Sequence, residues 1–163
     1  MVTQARKARK LRAVAFGRAG AVAAVVIAVD QLSKHAIRSG IDVGDHQKLL
    51  PGVTLVHVRN TGVAFSLFSG GGTLVLVFTL AALAALAGYL ALRPERSWLW
   101  LPTGLLIGGA IGNLVDRVLN GAVTDFVKLP LWPAFNAADM SITVGVVALL
   151  LVVEGRGSGG RRA

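Results

Sequence analysis

The chain alternates between long apolar stretches and short polar segments, a pattern typical of helices that cross a membrane. Four stretches approach the length of about 20 residues that spans a bilayer core, namely 13–36, 72–92, 97–116 and 135–153. The first is the least regular, because only the 11 residues of 19–29 lack a charge. Its helix must therefore carry Arg18 and Asp30 near its ends, where long side chains reach the surface. We predict four transmembrane helices.

Between the first two spans, residues 41–58 are predicted to form short strands instead of helix. Apolar and polar residues alternate from Val53 to Val58, as in a strand with one buried face. Pro51-Gly52 marks a turn just before this alternation. The pattern therefore predicts a small sheet that rests on the outer membrane surface.

Composition favours a small polytopic membrane protein. Of the 163 residues, 54% are apolar and only 15% are charged, compared with about 25% charged in ordinary soluble domains. The absence of cysteine excludes disulfides, thiolate metal sites and a cysteine nucleophile. The three histidines lack the spacing of metal ligands, and we predict neither a metal nor another cofactor.

The net charge of +9 is concentrated at the two ends and in the turn between the second and third spans. Four spans place these segments on one side, which then holds 11 of the 17 lysines and arginines. The positive-inside rule assigns that side to the cytoplasm. Both termini are then cytoplasmic, and all six aspartates lie on the outer side. Without interleaved aromatic residues, these basic clusters do not predict nucleic-acid binding.

The predicted organisation is a basic cytoplasmic N-terminal extension (1–12), a four-span domain (13–153) and a disordered cytoplasmic tail (154–163). A basic start followed by an apolar run is also the pattern of a cleavable signal peptide. Here the run ends in Val29-Asp30-Gln31, without the small residues of a cleavage site. We therefore favour a retained first span.

Asp125 and Asp139 flank a short loop between the last two spans, which Pro130 and Pro133 turn back on itself. A carboxylate at a membrane boundary is costly and usually has a partner or a function. Two carboxylates that meet can share a proton and activate water against a peptide carbonyl. A helix cap is the simpler role for Asp139, which follows Asn136 by three residues, but capping does not explain Asp125. The pattern favours a membrane-embedded aspartyl peptidase.

Polar residues also mark the outer end of the third span. Asn113, Asp116 and Arg117 lie on neighbouring turns there, where they form either a hydrogen-bonded network or a simple charged boundary. The same span carries a small residue at every fourth position, namely Gly104, Gly108 and Gly112. Such a ridge predicts close packing against another helix.

The end of the first span carries a pair of opposite charges. Asp30 and Lys34 are four residues apart, which is the spacing of a helical ion pair. Together with Asn60 they could instead bind a lipid headgroup or a glyceryl group. The sequence leaves both roles open.

Together, these residues resemble the lipoprotein signal peptidase family, also called type II signal peptidase. The resemblance covers the chain from about residue 29 to the end of the fourth span, and each motif alone is modest. Five motifs occur in the family's order, namely Asp30-Gln-Leu-Ser-Lys34, Arg59-Asn-Thr-Gly-Val-Ala-Phe65, Gly108-Gly-Ala-Ile-Gly-Asn-Leu-Val-Asp-Arg117, Val123-Thr-Asp-Phe126 and Phe135-Asn-Ala-Ala-Asp139.

The resemblance implies an all-α polytopic membrane protein, with four transmembrane helices and a small extracytoplasmic β-cradle. It implies that Asp125 and Asp139 are the catalytic pair. The supporting or substrate-binding positions that it implies are Asn113, Asp116, Arg117, Asn136, Asn60, Asp30 and Lys34.

The activity that the resemblance implies is removal of signal peptides from diacylglyceryl-modified prolipoproteins, by cleavage just before the lipidated cysteine. The expected location is the outer face of the bacterial cytoplasmic membrane. Expected partners are these substrates, membrane lipid and globomycin-type inhibitors. Neither a cofactor nor a nucleic acid is implied, and we expect a monomer.

Two other functions fit fewer residues. A small transporter or proton carrier would use the same acids, but they all lie on one predicted side and the chain shows no internal repeat. A serine-lysine peptidase would need Ser33 and Lys34 to face each other, which adjacent residues of a helix do not do.

Overall fold

The computed structural model describes residues 2–61, 71–94, 96 and 98–154. The predicted combination of a mostly helical protein with a small sheet is confirmed. The predicted tail beyond Glu154 lies outside these ranges. Within them, the helices and strands follow in the order α1 (Val2–Gly40), β1 (His46–Leu50), β2 (Val53–Asn60), α2 (Gly71–Leu92), α3 (Trp100–Asn120), β3 (Val123–Lys128) and α4 (Ala137–Glu154).

Two of the described helices are long and apolar enough to cross a membrane, judged by length and composition. They are Gln4–Gly40 within α1, and α4. A shorter apolar helix, Thr79–Leu92, lies within α2. Helices α2 and α3 overlap the second and third predicted spans, and the number of membrane crossings stays a prediction.

Helix α1 is longer than the first predicted span. It begins at Val2, so the basic residues predicted as a separate extension belong to the same helix. This segment is rich in Ala, Arg, Lys and Leu, which all favour helix. At about 1.5 Å per residue, its 39 residues reach about 58 Å. That is nearly twice the bilayer core of about 30 Å, so part of α1 extends beyond any span.

Helix α3 packs closely against α1 and α4 through its glycines. A β-carbon at Gly104 would lie 2.6 Å from the carbonyl oxygen of Ala19 in α1, and Gly108 and Gly112 approach α1 as closely. A β-carbon at Gly109 would meet α4 at similar distances. No larger residue permits these helix separations. The predicted packing role of the glycine ridge is therefore confirmed.

The three strands form one antiparallel sheet in the order β1-β2-β3. Gly52, with a φ of +80°, turns the chain between β1 and β2 at the predicted position. The third strand is not predicted from the sequence, and the assignment of residues from 125 onward to a loop is wrong at its start. Asp125 lies within β3, opposite Val58 of β2.

An apolar cluster fixes the sheet over the end of α1. Ile37 of α1 and Ile41, which directly follows α1, are buried there against Phe126 of β3. Leu55 of β2 and Ala137, the first residue of α4, pack on the same cluster. This contact places β3 beside the start of α4, where the polar residues converge.

Candidate active site

Asp125 is almost fully buried, with 2% of its surface exposed. Both of its carboxylate oxygens accept hydrogen bonds from asparagine side chains. Nδ2 of Asn136 donates to Oδ1 at 2.7 Å, and Nδ2 of Asn60 donates to Oδ2 at 3.0 Å. Asn60 ends β2, and the pairing of β2 with β3 brings it beside Asp125.

Asp139 is the third residue of α4 and is only half-buried. Its Oδ1 accepts a hydrogen bond from Nδ2 of Asn113 at 2.8 Å. Its Oδ2 accepts from the backbone N–H of Asn136 at 3.2 Å, while Oδ1 of Asn136 accepts from the backbone N–H of Asp139 at 2.9 Å. This reciprocal arrangement is a capping box. The cap position considered for Asp139 is therefore occupied by Asn136.

Asn136 connects the two carboxylates. It is fully buried, and its Nδ2 donates to Oδ1 of Asn113 at 3.1 Å as well as to Asp125. Asn113 in turn donates to Asp139. The segment between the two aspartates does turn back, and both acids belong to one hydrogen-bonded cluster.

The surroundings of Asp125 change its acidity. Burial raises the pKa of Asp125 above its ordinary value of 3.8, and the negative charge of Asp139 raises it further. The hydrogen bonds from Asn60 and Asn136 and the charge of Lys34 lower it in part. Burial therefore favours the protonated form of Asp125.

Lys34 lies at the centre of a buried ion network. Its Nζ is 2.8 Å from Oδ2 of Asp30 and 3.2 Å from Oδ2 of Asp116, and all three side chains are fully buried. Arg38 adds a second cation, 3.3 Å from Oδ1 of Asp116. Two cations therefore balance two carboxylates. Of the two roles left open for Asp30 and Lys34, the structure shows the ion pair.

The same lysine orients an asparagine of the carboxylate cluster. Nζ of Lys34 donates to Oδ1 of Asn113 at 3.0 Å. Because an ammonium group only donates, the carbonyl oxygen of Asn113 must face it, which leaves Nδ2 to face Asp139. Asp30 fixes the start of α4 by accepting the backbone N–H of Ala138 at 2.9 Å.

Three polar residues of this network were not predicted from the sequence. Gln31 donates to Oδ2 of Asp30 at 3.1 Å. Thr124 donates its backbone N–H to Asp116 at 2.9 Å, and its hydroxyl accepts from Arg38 at 3.2 Å. Helical periodicity could have indicated Arg38, which lies one turn beyond the buried lysine. Thr124 depends on the unpredicted strand.

The three polar residues predicted at the end of α3 make different contacts. Asn113 faces Asp139, whereas Asp116 faces Lys34. Arg117 turns back onto its own helix, where Nη1 donates to the carbonyl oxygen of Asn113 at 3.3 Å. Residues 62–65 of the second motif lie outside the described residues.

Asp139 borders an apolar cleft of about 350 Å³ beside the first turns of α4. A carboxylate at the edge of an apolar wall suits a substrate that combines a peptide group with an apolar portion. The other lining residues are Leu129, Trp132, Phe135, Met140, Thr143 and Val144.

The fold is shared with bacterial membrane enzymes, two of which have solved structures that resemble this chain. One has a TM-score of 0.77 and 31% identity, and the match covers 84% of this chain and 92% of that one. The other has a TM-score of 0.79 and 30% identity, with coverage of 90% and 93%.

The chain belongs to the signal peptidase II family, whose model matches residues 22–154. The lipoprotein signal peptidase of Moorella thermoacetica is 41% identical over 130 residues, 78% of this chain and 87% of that protein. The one from Polynucleobacter necessarius subsp. necessarius is 39% identical over 151 residues, 88% and 92% of the two chains. The predicted family is confirmed. The chain is therefore a protease, and the alternative prediction of a small transporter or proton carrier is wrong.

Proposed function

We propose that this protein removes signal peptides from prolipoproteins, as an aspartyl endopeptidase whose catalytic pair is Asp125 and Asp139. One observation carries the assignment: both carboxylates accept hydrogen bonds from Asn136, one from its side chain and one from its backbone. The apolar cleft beside Asp139 supports it. Membership of the family supports the reaction and the class of substrate.

The two carboxylates have different roles in the proposed reaction. Asp125 carries the proton, because burial raises its pKa. Asp139 acts as the base, since it is half-exposed and borders the cleft.

The reaction proceeds through a tetrahedral intermediate. Asp139 takes a proton from water as the water oxygen bonds to the scissile carbonyl carbon, and Asp125 gives its proton to the carbonyl oxygen. Asp139 then passes its proton to the peptide nitrogen as the carbon–nitrogen bond breaks. Asp125 recovers a proton from the intermediate's hydroxyl group. Both carboxylates return to their starting states.

The proposed substrate is a prolipoprotein whose cysteine already carries diacylglycerol, cut just before that cysteine. Four helices cross the cytoplasmic membrane, with both termini in the cytoplasm and the pair at the outer face. The concentration of basic residues at the termini supports this orientation. The protein acts as a monomer, and globomycin-type inhibitors bind at the same site.

The test is cleavage of a diacylated lipobox peptide by the purified full chain in detergent. We expect wild type to cut before the lipidated cysteine. Asp125→Asn and Asp139→Asn should each lower kcat on the order of 10²- to 10⁴-fold, as expected for loss of a general acid or base. Asp42→Asn, which changes an exposed aspartate, is the matched control and should retain wild-type turnover.

Thermal unfolding of each variant shows whether it is folded. Near-normal turnover by either variant of the pair would refute the assignment of the carboxylates. Failure of wild type to cut the peptide would refute the substrate class.

A further inference from the structure

Two segments at one end of the sheet expose apolar side chains. One is the end of β1, and the other follows β3. The two segments are neighbours because both pair with the start of β2. Leu50 pairs with Val53, and Lys128 pairs with Thr54. We call their exposed side chains the outer apolar rim, which consists of Leu49 (56% exposed), Leu50 (63%), Trp132 (62%) and the fully exposed Leu131.

Leu131 has an unusual backbone conformation. Its φ of +60° lies in the left-handed region, which glycine or asparagine normally occupies. Its side chain is fully exposed, so no packing within the described part of the chain compensates for this conformation. A leucine held in this way points to burial in something outside the chain.

The rim is continuous with the exposed face of α4. Trp132 and Leu129 line the same cleft as Met140 and Val144 of α4. Farther along α4, exposed apolar side chains recur at helical spacing, namely Met140, Val144, Val147 and Leu151. In the proposed orientation this face contacts lipid, and the rim extends it toward the headgroups.

Two lysines lie directly behind the rim. Lys48 pairs with Thr54, and Thr54 pairs with Lys128, so both lysines project from the same face of the sheet. Lys128 donates to the carbonyl oxygen of Trp132 at 2.7 Å and keeps its positive charge. A cavity of about 440 Å³ borders Lys48, Thr54 and the β1–β2 turn. Apolar and aromatic tips backed by lysines are typical of the membrane interface.

We propose that the outer apolar rim anchors the sheet in the outer leaflet, with Lys48 and Lys128 binding the headgroups of anionic phospholipids. The inference rests on the orientation given under the proposed function. A bilayer is favoured over a second copy of the chain for two reasons. The rim continues the lipid-facing surface of α4, and facing copies would bring like-charged lysines together.

The absence of cysteine from the chain permits a direct test of depth. A single nitroxide label is introduced by Leu131→Cys or Leu49→Cys, and the full protein is reconstituted into bilayers of phosphatidylglycerol and phosphatidylcholine. Label depth is read from collisions with oxygen, which partitions into lipid, and with a water-soluble nickel chelate. Val147→Cys on α4 provides the reference for lipid, and His46→Cys at the opposite end of β1 provides the reference for water.

We expect both rim labels to show a several-fold higher ratio of oxygen to nickel accessibility than the His46→Cys label. A ratio equal to that of the His46→Cys label would overturn the anchor. Spin–spin broadening that disappears on dilution with unlabelled protein would show that a second copy covers the rim, which also overturns it.

The headgroup contact is tested with the Leu131→Cys label. Replacing phosphatidylglycerol by phosphatidylcholine should make that label shallower. The double variant Lys48→Gln/Lys128→Gln should lose this dependence, since each lysine contributes roughly fivefold in affinity for an anionic surface. The control Lys7→Gln/Lys10→Gln, which removes the same charge from the start of α1, should keep it. A dependence that survives in the first double variant would refute the role of the lysines.

These measurements need no peptidase activity. A chain that fails to cut the lipobox peptide but shows a deep Leu131→Cys label refutes the proposed substrate and supports the anchor. An active chain with a water-exposed Leu131→Cys label refutes the anchor and leaves the proposed function intact.

Discussion

Asp125 and Asp139 carry the same functional group in unlike surroundings. Asp125 lies in a strand and is almost completely buried, whereas Asp139 lies in the first turn of a helix beside an open cleft. The first environment favours the neutral acid, and the second leaves Asp139 beside the space that a substrate would occupy. This division of environments assigns the general acid and the general base in the proposed reaction.

Removal of Asn60 should shift the pH dependence of catalysis. The side chain of Asn60 stabilises ionised Asp125 and lowers its pKa. Asn60→Ala should therefore raise that pKa further, so Asp125 keeps its proton to higher pH. We expect the alkaline limb of kcat to move to higher pH, measured with the lipobox peptide. Asn120→Ala, at the exposed end of α3, is the control and should leave the limb unchanged.

The same substitution affects stability in a defined direction. A folded-state pKa above the unfolded value adds stability at low pH, and this contribution is lost as pH rises through the raised pKa. Asn60→Ala should extend that contribution to higher pH. An alkaline limb that stays in place or moves to lower pH would contradict the proposed role of Asp125.

Elements that depend on their own local sequence were predicted, whereas an element that depends on pairing with a distant segment was not. Helices α2 and α4 are visible as long, mainly apolar stretches, because each helix is defined by its own residues. Strand β3 is not visible, because its six residues form a strand only by pairing with β2. Its key contact joins Asn60 to Asp125 across 65 residues of sequence. The start of α1 was misplaced because charge, which marks the end of a span, does not end a helix.

The close approach of α1 and α3 predicts that a larger residue at their contact lowers stability. A β-carbon at Gly104 would lie 2.6 Å from the backbone of α1, which cannot move locally. Gly104→Ala should therefore force the helices apart and cost about 1–3 kcal/mol. Gly88→Ala in α2 is the matched control, since a β-carbon there meets nothing within 4 Å. It should be neutral or stabilise the helix by up to about 1 kcal/mol.

Thermal unfolding in detergent compares these two alanine variants directly. Equal midpoints for the two would show that the close approach of α1 and α3 does not limit stability.

At the scale of the whole molecule, the candidate site lies where one strand and three helices meet. Strand β3 provides Asp125, α4 provides Asp139, and α3 provides Asn113, which Lys34 of α1 orients. The five motifs predicted these residues as a set, but not which of them meet. Asn113 and Lys34 are 79 residues apart, and such contacts follow from the packing of helices, which local periodicity does not specify. Thr124 was missed for the same reason, whereas helical spacing from Lys34 could have indicated Arg38.

Lys34 should be critical for the stability of this assembly. Lys34→Met would leave Asp30 and Asp116 buried with one cation fewer. The loss expected for breaking such a buried network is about 3–5 kcal/mol. The double variant Asp30→Asn/Lys34→Met should recover part of it, because one uncompensated carboxylate is removed.

Lys10→Met, at an exposed position of α1, is the control for Lys34→Met and should change stability little. The free energy of unfolding in detergent distinguishes the variants. A Lys34→Met protein as stable as wild type would show that the network contributes no net stability.

The capping box at the start of α4 links the proposed chemistry to a folding equilibrium. Asp139 accepts the backbone N–H of Asn136 at the positive end of the helix. When Asp139 takes a proton from water, it loses the charge that strengthens this bond, and the first helical turn weakens. The turn regains its strength when the proton leaves with the amine product. In the proposed reaction, the first turn of α4 is therefore weakened while Asp139 holds the proton, and it is restored as the carbon–nitrogen bond breaks.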